Sequence, residues 1–268
     1  MCDFAADQEA ARQLLVGRVL TVERVRQLNA KDYFYQMLKD NPEMLKIYPG
    51  IENKLLEGAI DCHIHAFPDF VYRSQDVIQI AIDASKAGMR ALAFKDHWNI
   101  SCNAAFLAQR HMDYLVEKGE LEIMKMAVAK KVGIGFGHTD FKELLPLAKK
   151  AKELGVRATL DHPLLELNKL LLEEMLELAD LGVYVGTYCQ PMIPSLYQPV
   201  TDPMETIKTI RAIGPERCII GSDFGQVLHM DSIDGMRVFI RALLAFGIKE
   251  HEVGVMLHDN PAKLMWLD

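Results

Sequence analysis

Residues 58–65 read GAIDCHIH and residues 218–223 read CIIGSD. Each is a short apolar run that ends in ionisable side chains, and the same pattern recurs between them. RALAFKDH (90–97), VGIGFGH (132–138), VRATLDH (156–162) and VYVGTY (183–188) are the other runs of strand length. The intervening stretches carry apolar residues at helical spacing, at 74–88, 103–118, 141–155, 168–182, 203–214 and 232–247, and most close on glycine. Apolar strands alternating with amphipathic helices predict parallel βαβ units, in either a closed barrel or an open doubly wound sheet. No GxGxxG opens a helix, so the dinucleotide-binding form of the open sheet has no support.

The polar residues choose between the two. Five of the six runs end in a cluster: Asp61/His63/His65, Lys95/Asp96/His97, His138/Asp140, Asp161/His162 and Ser222/Asp223. Most of these lie at the C-terminal end of a strand, where a (β/α) barrel builds its active site. An open sheet would concentrate function at one switch point. The expected fold is therefore an α/β chain with a TIM-like (β/α) barrel.

His63-x-His65 is the sharpest local signal. Residues two apart on a strand point to one side, so both imidazoles face one way, with Asp61 below them. Two imidazoles on a rigid strand offer two coordination positions to a Zn-class ion. His97, His138, His162 and Asp223 stand at equivalent ends of other strands, which extends the pair to a predicted metal site. On a regular strand Asp161 points away from His162, and it reads as a structural hydrogen-bonding residue.

Length and composition are those of a soluble globular chain. The 268 residues are half apolar and one quarter charged, with a net charge of −7 that disfavours nucleic acid and anionic membrane surfaces. No apolar run approaches the ~20 residues of a membrane span. The start, MCDFAADQEAARQ, lacks a signal-peptide pattern, and five scattered cysteines without a CxxC pair read as reduced thiols. A cytoplasmic protein is expected. Residues 1–57 read as a helical extension and 58–268 as the barrel. The extension packs on the barrel, on a second copy of the chain (hence an expected homo-oligomer), or over the active site as a lid.

GAIDCHIHAFPD (58–69), GHTD (137–140), TLDHP (159–163), GPERCIIGSDFGQ (214–226) and NPAKLMWLD (260–268), in that order, resemble the amidohydrolase superfamily of metal-dependent hydrolases. The resemblance is to its amidohydrolase-related branch and to an uncharacterised TIM-barrel hydrolase family beside it. It implies metal binding by His63, His65 and Asp223, with His138 and His162 either binding metal or acting on substrate. The implied reaction is cleavage of a C–N or C–O bond in a small molecule by metal-activated water, with Asp223 as base and His162 or His97 as the group that assists the oxyanion or leaving group. Zn is the first choice of metal, with Mn, Fe or Co also accepted by such donors. One site is expected, and a second is left open. Lys95, Arg73, Tyr188, Gln190 and Gln226 are the expected substrate-binding residues, and His229 a residue of the mouth.

The chain departs from an eight-stranded barrel. Only 34 residues separate His97 from Val132, whereas two βα units take roughly 50–60. LEIMKMAVAKK (121–131) has helical spacing, so the third and fourth strands are not found, and a shortening is placed near Gly119-Glu120. The bridging carboxylate that two-metal relatives take from the fourth strand has no counterpart, unless Lys95 or Asp96 replaces it. Three rival functions stay open. They are a non-oxidative decarboxylase on the same site, a phosphoesterase of the polymerase-and-histidinol-phosphatase type, and a shortened metal-binding relative with weak or no turnover.

Overall fold

The structure, a computed structural model, describes residues 48–69, 71–95, 112–165, 169–193, 202–226 and 229–268, with backbone alone for 112–120. The chain divides into two compact units, Met1–Tyr48 and Pro49–Asp268, and the described residues lie, Tyr48 aside, in the second. The expected helices of residues 8–38, together with Asp96 and His97, lie outside the described residues.

Among the described residues, six parallel strands form the wall: β1 (Ile60–Ile64), β2 (Ala91–Phe94), β3 (Ile134–Phe136), β4 (Ala158–Leu160), β5 (Val183–Tyr188) and β6 (Cys218–Gly221). Strand pairing runs β3-β4-β5-β6 in one sheet and β1-β2 in the other. The two sheets join just beyond the strand ends. There Asp223 N–H donates to the His63 carbonyl and His65 N–H to the Phe224 carbonyl, both at 2.8 Å. The order around the wall is thus β2-β1-β6-β5-β4-β3. Among the described residues no strand pairing connects β2 to β3, the place where two strands are missing from the sequence pattern. The fold is a shortened (β/α) barrel, with no closure between β2 and β3 among the described residues.

Alternation on β1 sorts the chemistry. Ile60, Cys62 and Ile64 turn outward. Ile60 and Cys62 pack with Ile219, Ala262 and Leu264, and Ile64 packs with Ala66 and Ile80. Asp61 and His63 turn inward. Helix Ser232–Ala245 buries Ile233, Met236, Phe239, Ile240, Leu243 and Leu244 along one stripe, the amphipathic spacing the sequence predicts. Two of the helices begin where a side chain replaces the missing backbone acceptor. Asp76 accepts from Gln79 N–H at 2.7 Å, and Asp202 accepts from Met204 N–H at 2.9 Å ahead of Pro203.

One expectation needs correction. Helix Met112–Lys130 runs unbroken through Gly119 and Glu120, so the shortening leaves no break in the helix there. At the N-terminal end of the barrel the chain's own tail forms a floor. Arg157, just ahead of β4, donates to the Lys263 carbonyl, pairs with Asp268 at 2.6 Å and lies 3.6 Å above the Trp266 ring. His258 donates from Nε2 to the Leu55 carbonyl at 2.8 Å. No helix among the described residues is long and apolar enough to cross a membrane.

Candidate metal centre

Three strands hand over to their loops in the same way. His138, His162 and Asp223 each stand two residues beyond a strand end, after β3, β4 and β6. All three adopt a left-handed backbone, with φ of 59°, 55° and 51°. Such φ values are uncommon for residues with a Cβ, although His and Asp tolerate them better than most. The turn swings each side chain off the regular alternation and over the barrel mouth. This is why Asp161 and His162, neighbours in sequence, both face inward, and it overturns the expectation that Asp161 points away. Asp161 continues the inward face of Thr159, and the left-handed turn brings His162 to the same side.

Among the described residues, His63, His65 and Asp223 form the one group whose three ligand-type atoms lie within 4.8 Å of one another, and all three residues are buried. Asp223 Oδ1 is 3.5 Å from His63 Nε2 and 3.3 Å from His65 Nε2, and its Oδ2 is 3.3 Å from His162 Nδ1. These separations are long for hydrogen bonds. Tetrahedral coordination with bonds of about 2.0–2.1 Å sets neighbouring donors about 3.4 Å apart, and the two distances from Oδ1 match edges of such a polyhedron. His162 Nδ1 is buried and has no hydrogen-bond partner, as a nitrogen reserved for a cation would be. His65 Nδ1 is already engaged with the Lys95 carbonyl at 2.9 Å, which leaves its Nε2 lone pair facing Asp223.

Charge points the same way. Burial would raise the Asp223 carboxyl, but the imidazoles of His63, His65 and His162 outweigh it and hold the group below its ordinary range. Asp161 behaves alike: burial is outweighed by His63, by the Lys95 ammonium and by the Tyr188 hydroxyl, and the group sits well below the carboxylate range. Burial pushes His162 down to about 4, against the opposing pull of Asp223, so its imidazole is neutral at pH 7. Two ionised, fully buried carboxylates thus share the site with one ammonium. Uncompensated buried charge is costly, and a divalent cation fits the deficit. The donor set of two or three imidazoles and a carboxylate fits a Zn-class ion.

The remaining predicted residues divide. His138 is exposed at the rim, its ring 4.9 Å from that of His162. Tyr188 is buried against the centre, with ring distances of 4.9 Å to His63 and 5.1 Å to His162, and its hydroxyl donates to Asp161 Oδ1 at 2.6 Å. Lys95 Nζ donates to Asp161 Oδ2 at 3.0 Å. Arg73 donates from Nε and Nη2 to Asp69 Oδ2 at 2.8 and 2.6 Å in a buried ion pair. Gln190 is buried beyond β5, its N–H on the Ser222 carbonyl. Gln226 pairs through its backbone with Arg73, and its Oε1 is buried without a partner. The His229 ring lies tilted 5.3 Å from that of Phe224, and neither of its buried ring nitrogens has a partner. Asp61 lies beneath the centre and accepts from the His63 and Ser222 amides at 3.0 and 3.1 Å. Burial pushes it up to about 6 in spite of these bonds.

A family model described as "Family of unknown function" (DUF6282) matches residues 58–119 and 114–186. The two segments meet in the stretch where the sequence places the shortening. No curated protein matches the sequence. Among solved structures, amidohydrolase 2 from Bifidobacterium longum subsp. infantis is similar, with TM-score 0.50 and 17% identity over 79% of this chain and 100% of that one. A protein from Agrobacterium tumefaciens in its apo form gives 0.49 and 16%, over 79% and 97%. An amidohydrolase from Pseudomonas aeruginosa gives 0.45 and 13%, over 80% and 98%. At these identities the likeness concerns the fold, and the first of the three carries it.

Proposed function

We propose that this chain is a metal-dependent hydrolase of the amidohydrolase type, one that cleaves a C–N or C–O bond of a small molecule. The observation that carries the reading is the convergence of His63, His65 and Asp223 from β1 and β6, far apart in the chain and neighbours in the wall, at separations suited to one cation. The amidohydrolase named among the similar structures supports the fold on which such a centre sits.

His63, His65 and Asp223 would hold the ion, with His162 Nδ1 as a further donor and His138 as a group at the rim. Zn is the first choice, and Mn, Fe or Co suit the same donors. A divalent cation so held lowers the pKa of a bound water towards ~7 and polarises a substrate carbonyl. Asp223, ionised and in the centre, accepts the proton released as water attacks. His162 is neutral, so it can donate a hydrogen bond to developing negative charge; to protonate the leaving group its imidazole, or that of His97, would first have to take up a proton. Gln190, Gln226 and His229, which follow β5 and β6 in the chain, would contact substrate.

The test is elemental analysis of the purified protein beside a His63→Ala/His65→Ala variant, followed by turnover assays on amide, lactone and ester panels. One bound metal per chain, absent from the variant, with turnover on one of these panels, is the expected result. Metal with CO₂ release from aromatic acids would reassign the chain as a non-oxidative decarboxylase. Turnover of phosphate monoesters would make it a phosphoesterase. Metal without any turnover would leave a metal-binding relative.

A further inference from the structure

Resting on that metal reading, we propose that Asp161 is a positioning residue for His63, with Lys95 and Tyr188 holding its carboxylate in place. Asp161 thereby fixes the imidazole proton on Nδ1 and leaves Nε2 as the donor that faces Asp223.

The geometry is specific. Tyr188 Oη donates to Asp161 Oδ1 at 2.6 Å, and Lys95 Nζ donates to Oδ2 at 3.0 Å. The same Oδ2 lies 3.6 Å from His63 Nδ1, longer than a hydrogen bond, at a nitrogen that is buried and has no hydrogen-bond partner, on the opposite edge of the ring from the Nε2 that faces Asp223 at 3.5 Å. A carboxylate already held by an ammonium and a phenol only accepts hydrogen bonds, so the ring nitrogen nearest to it carries the proton. Lys95 serves both histidines of the pair. Its ammonium steadies Asp161 beside His63, and its carbonyl accepts from His65 Nδ1 at 2.9 Å. Both imidazoles are thus presented through Nε2, one by a side chain and one by the backbone. Outer partners of this kind orient ligating imidazoles in metal sites generally.

The sequence clears space for this cluster. A Cβ on Gly135 would come within 2.3 Å of Asp161 Oδ2 and 2.7 Å of Lys95 Nζ. One on Gly186 would lie 2.4 Å from the Tyr188 hydroxyl, and one on Gly221 would lie 2.8 Å from the Tyr188 ring. Glycines from three strands thus border the same three side chains, which accounts for Gly135, Gly186 and Gly221 within strand sequences.

Long-range proton–nitrogen NMR of the metal-free protein reads which ring nitrogen of His63 carries hydrogen, whether or not a metal binds. The expected result is Nδ1–H in the wild type, with a shift towards the other tautomer in Asp161→Asn. In parallel, Zn²⁺ competition with a chromophoric chelator should show affinity about 10–100-fold weaker in Asp161→Asn than in the wild type. Nε2–H on His63 in the wild type overturns the proposal, even if the variant fails to fold. So does a folded Asp161→Asn variant with unchanged tautomer and with Zn²⁺ affinity within twofold of wild type. A wild type that takes up no Zn²⁺ at all refutes the metal reading alone, and the tautomer measurement still decides the role of Asp161.

Discussion

The backbone N–H of Asp223 donates to the carbonyl of His63 at 2.8 Å. The main chains of two proposed ligands are therefore tied together where the first and last strands meet, while their side chains stand 3.5 Å apart. The backbone that joins the two sheets also sets the donor spacing, so the centre is built before any cation arrives.

A preformed centre should gain stability on metal binding without large refolding. A cation at about 100 times its Kd contributes about 2.7 kcal/mol, or roughly 5–10 °C in Tm for a chain of this size. Thermal melts with and without Zn²⁺ or Mn²⁺ should show that rise in the wild type. His63→Ala/His65→Ala should show none, and an equal rise in both would remove these residues from the centre.

His162 predicts a pH response of the metal-free protein. Its folded pKa is pushed down to about 4, while an unfolded histidine titrates near 6.5. Between those values the unfolded chain binds a proton that the folded chain refuses. The contribution is therefore intact above pH ~6.5 and is lost progressively down to pH ~4, by about 3 kcal/mol at most. Urea unfolding at pH 7.5 and pH 5 should show a smaller loss in His162→Asn than in the wild type. Equal losses would contradict the assignment.

Two glycines in C-terminal helices should respond to alanine with opposite signs. Gly254 has open space where a Cβ would go, so Gly254→Ala should stabilise by up to about 1 kcal/mol through helix propensity. Gly235 would place its Cβ 1.6 Å from the ring of Phe224, the neighbour of Asp223. Gly235→Ala should cost about 1–3 kcal/mol or more and weaken Zn²⁺ binding as well. Denaturant midpoints and the chelator assay check both.

Burial pushes the thiols of Cys189 and Cys218 up to about 12 and raises that of Cys62 too. Thiolate, the reactive form, is therefore suppressed on the order of a thousandfold relative to a free cysteine. Peptide mass spectrometry after iodoacetamide treatment at pH 8 should find these three unlabelled in the native protein and labelled in urea. Native labelling of any of them would show that its surroundings open.

Much of the site was legible in the sequence because strand alternation is a rigid rule. His63 and His65 had to share a face, and clusters at successive strand ends had to gather at one end of a barrel. The gap between β2 and β3 was legible as simple arithmetic on chain length. Asp161 was misjudged because alternation was extended beyond Leu160, where His162 turns left-handed, and no residue pattern announces that turn. The hold of Tyr188 on Asp161 was missed as well, although its trace was present. Glycines at 135, 186 and 221, within strands that otherwise favour branched side chains, marked where interior groups needed the room. The Lys95 carbonyl had no signal at all, since any residue supplies one.

The left-handed turns at His138, His162 and Asp223 set a trade-off for protein engineering. Residues held in such conformations carry strain of roughly 1–3 kcal/mol each, and glycine relieves it without moving the backbone. A laboratory campaign that selects only for heat tolerance would be drawn to those positions, and success there would strip imidazoles and a carboxylate from the mouth of the barrel. Thermal robustness and chemistry compete at the same three residues, so selection for one has to be counter-screened for the other.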